Sequence, residues 1–157
     1  RTGTEYVEVT GIELVVNGDF ATDSGWNTSA TGISISGGKL SRDATATASM
    51  FQVSSVITAS VLYEITFEIV DYTSGTLTPR FGYNGTGGTA VSGIGTYTQI
   101  IVKVDQNTIE LYGTAFVGSI DNVSVVEVTA ENASYADMCM QTGASTYEWV
   151  NIVRNTY

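Results

Sequence analysis

Side chains able to do acid–base or covalent chemistry are few in this sequence, and their spacing argues against catalysis. Histidine is absent, so neither a Ser-His-Asp nor a Cys-His triad can be assembled. The single cysteine, Cys139, lies between Met138 and Met140 with no basic neighbour in sequence to lower its pKa. It reads as a small buried residue, and without clustered His and Cys a zinc site has no ligand set. Paired carboxylates about 5–10 Å apart would hydrolyse glycosides. Glu64 and Glu68 share one face of a strand-like run, but the strand between them spans roughly 13 Å, so solvated or cross-strand roles are expected. Gly85, Gly87, Gly88, Gly93 and Gly95 lack the Lys and following helix of a phosphate loop and read as loop glycines. The expectation is a protein that is not an enzyme.

The elements that would position any site are strands. The chain has 157 residues, the size of one domain with short appendages, and is long enough to bury a core without staples. Hydrophobic residues make up 43% and charged ones only 14%, which excludes compositional disorder and, with many β-branched residues, favours strands. The net charge of −10, with six Lys and Arg in all, leaves no basic footprint for nucleic acid or anionic membranes. No apolar run is long enough for a transmembrane helix. One cysteine cannot make an intrachain disulfide. The chain opens at Arg1 without a charged-then-apolar leader, so no signal peptide is expected; lacking an initiator Met, it is expected to be a processed product or part of a longer polypeptide.

Thr4–Val9 alternates weakly, and Gly11 separates it from Ile12–Val16, an apolar run of the kind a strand buried on both sides shows. Asn17-Gly18 then breaks the run with residues suited to positive φ. Gly32–Ser41 reads as a hairpin turning at Ser36-Gly37-Gly38, and Thr45–Val53 as a further strand. Tyr63, Ile65, Phe67 and Ile69 recur at period two, the clearest half-buried strand. Leu77, Pro79, Phe81 and Tyr83 repeat the alternation, with Pro79 marking an edge or bulged strand. Asn84–Gly95 reads as a loop or weak hairpin. Tyr97–Val104, Thr108–Tyr112 and Ile120–Val128 complete a series with turn signals about every ten residues, as in a sandwich or barrel. Ala130–Met138 is expected to contain a helical turn. Asp137–Gln141 and Thr146–Val153 are expected to pair as a hairpin carrying Tyr147 and Trp149, covering an edge of the main domain or pairing with another subunit.

Glu13-Leu14-Val15-Val16-Asn17-Gly18-Asp19-Phe20-Ala21-Thr22-Asp23-Ser24-Gly25-Trp26 closely resembles the opening of CenC-type carbohydrate-binding modules. The Gly93–Tyr97 segment and Gly118-Ser119-Ile120-Asp121-Asn122-Val123-Ser124-Val125 resemble later strands and the close of the same modules. The match covers roughly residues 12–128, leaving 1–11 as an N-terminal extension and 129–157 as a C-terminal one. Ala-Thr-Asp after Phe20 is similar to modules embedded in tailed-bacteriophage virion proteins. The tail from Met138 through Ile152 resembles short C-terminal segments of phage tail proteins.

The resemblance implies an all-β fold, an antiparallel β-sandwich of the galactose-binding-like jelly-roll type. It implies aromatic platforms for sugar, with Tyr72, Tyr83, Tyr97 and Tyr112 and the hydrogen-bonding Arg80 as candidates, each also able to serve as a rim or core residue. Trp26 reads as core. Many family members hold a structural calcium; Asp121 falls on the matching closing position, with Asp19 or Asp23 at the opening. Ala21 stands where the family often has Glu, and the same aspartates could simply cap turns. The function implied is that of a structural protein of a phage particle, a head or tail fibre, spike or capsid decoration. Its expected partners are other virion proteins, further copies of itself and cell-surface polysaccharide, with neither nucleic acid nor membrane insertion. The alternative is a carbohydrate-binding module of a secreted bacterial glycoside-active enzyme or surface protein. That reading would favour a linker rich in Pro or Ser, and Pro79 is the only proline.

Overall fold

The period-two run at Leu62–Ile69 becomes one buried row: Tyr63, Ile65, Phe67 and Ile69 are at most 1% exposed. Their neighbours Glu64, Thr66 and Glu68 are only half-buried. The computed structural model describes residues 2–53, 57–82, 85, 87–103, 107–143 and 146–156, with side chains described from Gly11 through Thr129. All regular elements described are strands: β1 (Thr2–Glu13), β2 (Ile33–Ile35), β3 (Leu40–Arg42), β4 (Met50–Val53), β5 (Leu62–Phe81), β6 (Gly95–Val102), β7 (Thr108–Gly143) and β8 (Thr146–Thr156). They form an antiparallel sheet in which β2, β3, β7, β5 and β6 are successive neighbours, and β1, β4 and β8 each pair with β7. No helix among the described residues is long and apolar enough to cross a membrane.

By its contacts the chain divides into two units, Thr10–Glu127 and Arg1–Val9 with Val128–Tyr157. In the second, β8 pairs antiparallel with Ala133–Gly143, with register shifts at Ala136/Asp137 and Gln141/Gly143. The helical turn expected over Ala130–Met138 is not formed; that stretch belongs to β7. Its backbone groups find cross-strand partners in β8, and that pairing overrides a weak local preference.

In the larger unit the long strands change partner along their length. β7 pairs with β4 over Thr108–Leu111 and with β3 over Gly118–Ile120. Ile109 and Leu111 are buried, then Phe116 and Ile120, then Val123 and Val125. The buried parity switches twice, around Ala115 and Asn122, which both have φ 51. A residue in the left-handed region re-aims the strand and resets which face is inward. Pro79 lies beside a stretch joined only by isolated bridges, Leu77 to Val91 and Arg80 to Gly87. A missing N–H is tolerated there because, among the described residues, no continuous ladder runs along that side. The β2–β3 hairpin turns at Gly37 and Gly38, both with positive φ, as its sequence predicts.

The opening and closing segments meet. Leu14 N donates to Val125 O at 3.0 Å and Val123 N to Gly18 O at 2.9 Å. A Cβ on Gly18 would sit 2.0 Å from Val123 O, so only glycine allows this approach. The expectation that Ile12–Val16 is buried on both sides is corrected: the strand ends at Glu13, and Ile12 and Val16 are 76% and 66% exposed. Val15 alone of the run is buried. Val16 turns its backbone to the side chain of Gln52 instead of to a second strand: its N–H donates to Gln52 Oε1 and its carbonyl accepts from Gln52 Nε2.

Candidate functional site

Strand alternation puts chemistry on the face of β4, β7 and β5 opposite the core. Because Ile109 and Leu111 point inward, Thr108, Glu110 and Tyr112 point outward. On β4 the register sets Phe51 opposite Glu110. On β5, Leu77, Pro79 and Phe81 are buried, which turns Arg80 to the outer side with Glu110 and Tyr112.

These side chains form one cluster. Arg80 donates to both oxygens of Glu110, Nε to Oε2 at 2.5 Å and Nη2 to Oε1 at 3.0 Å. Glu110 is 4% exposed in its side chain and Arg80 11%. A bidentate geometry of this kind compensates the desolvation that a partly buried pair incurs. The guanidinium carbon also lies 3.8 Å from the centroid of the Tyr112 ring, within cation–π range. Tyr112 is therefore fixed in orientation although 36% exposed. Beside it lies a groove of about 500 Å³ lined by Thr47, Ala48, Ser49, Phe51, Thr108, Glu110 and Tyr112. It offers two aromatic rings, four hydroxyls and a carboxylate whose charge is matched by Arg80. Such a set can stack an apolar ring face and hydrogen-bond to an uncharged polyhydroxyl ligand.

Of the residues proposed from sequence, Arg80 and Tyr112 are brought together. Tyr72 lies elsewhere: its ring is 6.4 Å from that of Phe116 and its hydroxyl donates to Gly75 O. Tyr97 packs on Phe67 at 5.7 Å, and its hydroxyl donates to Ser92 O and Gly93 O. Tyr83 lies outside the described residues. Trp26 is 7% exposed, packs 5.3 Å from Phe20 and donates from Nε1 to Asn17 O. Phe51 and Glu110 were not singled out from the sequence. The phase of Ile109 and Leu111 points to Glu110, but nothing local pairs Phe51 with it.

The oxygen donors of Asp121 and Asp19, expected to hold calcium, have other partners. Asp121 Oδ1 accepts from Asn122 N at 2.7 Å, and Asp19 Oδ1 from Ala21 N at 3.4 Å, both turn-capping roles. Among the described residues no group of three or more Asp, Glu, His or Cys gathers. The loop carbonyls of Thr22 and Ser24 are tied by Asn17, whose Nδ2 donates to them at 2.6 and 2.9 Å. Glu13 spends its carboxylate on Val15 N, Val125 N and the Ser124 hydroxyl, pinning the end of β1 to the closing strand. An amide and a carboxylate thus tie this junction, and among the described residues the acidic side chains do not gather as a calcium cage requires.

Comparison with models of known families, with curated proteins and with solved structures finds no match.

Proposed function

We propose that this chain is a non-catalytic structural protein of a tailed-phage virion. In this reading it is built on a jelly-roll sandwich of the galactose-binding-like type and contacts host-surface glycans. The observation that carries the glycan contact is the outward cluster of Phe51, Tyr112 and the Arg80–Glu110 pair beside an open groove. A pyranose has an apolar C–H face and an equatorial rim of hydroxyls. A held tyrosine ring meets the first, and Thr47, Ser49 and Thr108 meet the second. The particle reading rests on the resemblance of the opening, closing and C-terminal segments to phage modules, and expects further copies and other virion proteins as partners. The same groove supports the second reading, a sugar-binding module of a secreted bacterial enzyme or surface protein.

Two measurements on the whole chain test this. A neutral-glycan array should give binding that Tyr112→Ala removes and Tyr97→Phe leaves intact; no binding to any glycan refutes the groove's role. Mass in solution separates the settings: a stable homo-oligomer supports the particle protein, and a monomer supports the secreted module.

A further inference from the structure

Arg42, on β3, is 8% exposed. Its guanidinium donates from Nε to Ala48 O at 3.2 Å, from Nη2 to Ala46 O at 2.8 Å, and from Nη1 to Phe116 O. All of these acceptors are neutral carbonyls. Among the described residues no carboxylate pairs with it. The neighbouring Asp43 is exposed and spends Oδ1 on the N–H and hydroxyl of Thr45. A buried charge normally finds a counter-charge, because desolvation is otherwise poorly offset. Among the described residues no carboxylate hydrogen-bonds to Arg42, and the exposed Asp43 feels its charge only through space.

The same side chain lines a pocket of about 400 Å³, whose other lining residues are Ala44, Ala46, Ser74, Ala115 and Val117. Apart from Arg42 and the Ser74 hydroxyl, the lining side chains are small and apolar. It shares no lining residue with the groove at Tyr112. A guanidinium carries more N–H groups than its three carbonyl partners use, in a planar fork that matches a carboxylate.

We propose that this pocket is a binding site for a small organic carboxylate. The ligand's carboxylate meets Arg42, and its short apolar stem lies against Ala44, Ala46, Ala115 and Val117. An inorganic anion would satisfy the charge but leave the apolar wall unused. A neutral amide of the same shape would fill the wall and leave the charge unmet. The site does not depend on the glycan reading.

The test titrates the whole chain with propionate at constant ionic strength, with propionamide and inorganic phosphate in parallel. The readouts are thermal unfolding and amide chemical shifts. Propionate should give a saturable response centred on Arg42, Ser74 and Val117, and roughly tenfold or more weaker responses are expected for the other two probes. Arg42→Lys, which keeps the charge and loses the fork, should weaken propionate by a similar factor. Since Arg42 also holds backbone, a second variant leaves it in place. Val117→Asp puts a carboxylate at the pocket; it should melt higher than Val117→Asn and no longer respond to propionate. The proposal is overturned if propionate gives no saturable response, if phosphate or propionamide binds as well, or if Val117→Asp responds like the parent chain.

Discussion

Gln52 is the side chain whose replacement tests the architecture most directly. It is 4% exposed. Its Oε1 accepts from Val16 N at 2.8 Å, and its Nε2 donates to Val16 O at 2.7 Å and Gly25 O at 3.0 Å. One carboxamide thus stands in for a missing strand beside the opening segment. Gln52→Glu keeps the shape and the accepted bond but sets an oxygen against both carbonyls. Losing two buried hydrogen bonds and facing two acceptors should cost about 3 kcal/mol at pH 7. The introduced carboxyl escapes part of this by protonating, since its OH can then donate to Val16 O. Its pKa in the folded state is therefore raised above the ordinary value of about 4.3, and each unit of that rise corresponds to about 1.4 kcal/mol of the deficit. The sign follows: the loss is smallest below about pH 4 and grows as pH rises through the folded-state pKa. Urea unfolding of parent and variant at pH 4, 5.5 and 7, read by far-ultraviolet circular dichroism, measures the difference. A deficit below about 0.5 kcal/mol at pH 7, or one that does not change with pH, would refute the reasoning.

Three further outcomes are expected. Asn17→Ala removes the two donations from Nδ2 and the bond accepted from Thr22 N at 3.0 Å, at a residue with φ 56. The loss should be about 2 kcal/mol by chemical denaturation, and chelation of divalent ions should leave the parent's melting temperature unchanged; a chelator-induced drop would restore the calcium assignment. Asp43 and Asp71 both have lowered pKa values, Asp43 chiefly through the Thr45 hydroxyl and Asp71 chiefly through Lys39. Depressed folded-state values give stability that is present above the unfolded pKa of about 4 and lost as pH falls through the folded one. Asp43→Asn with Asp71→Asn should therefore flatten the acid limb of the stability profile below about pH 4, leaving it otherwise parallel to the parent's.

The order of the chemistry in the sequence explains what was legible. The alternation at Tyr63–Ile69 and at Leu77–Phe81 is a local property, and the structure buries those residues as a row. The Gly37-Gly38 turn is equally local, because only residues tolerant of positive φ close so tight a hairpin. Arg80 and Tyr112 are candidates through the resemblance to sugar-binding modules, beside Tyr72, Tyr83 and Tyr97. Their meeting is not legible there, because it depends on β5 and β7 becoming neighbours. Phe51 carries no local signal, because its significance lies in register with Glu110 across β4 and β7.

By itself, then, the sequence determined the secondary-structure class and the want of histidine-based chemistry, both of which follow from residue types and short-range periodicity. It also carried the two segments that meet at Gly18 and Val123, because close backbone approach demands glycine at the point of contact. Tertiary structure alone decided that Gln52 would serve as a strand for Val16, that Asn17 would tie the carbonyls of its own loop, and that Arg42 would be buried with its guanidinium on three backbone carbonyls. Those outcomes are fixed by which groups are left unpaired once the strands have packed, and the accounting closes only in three dimensions.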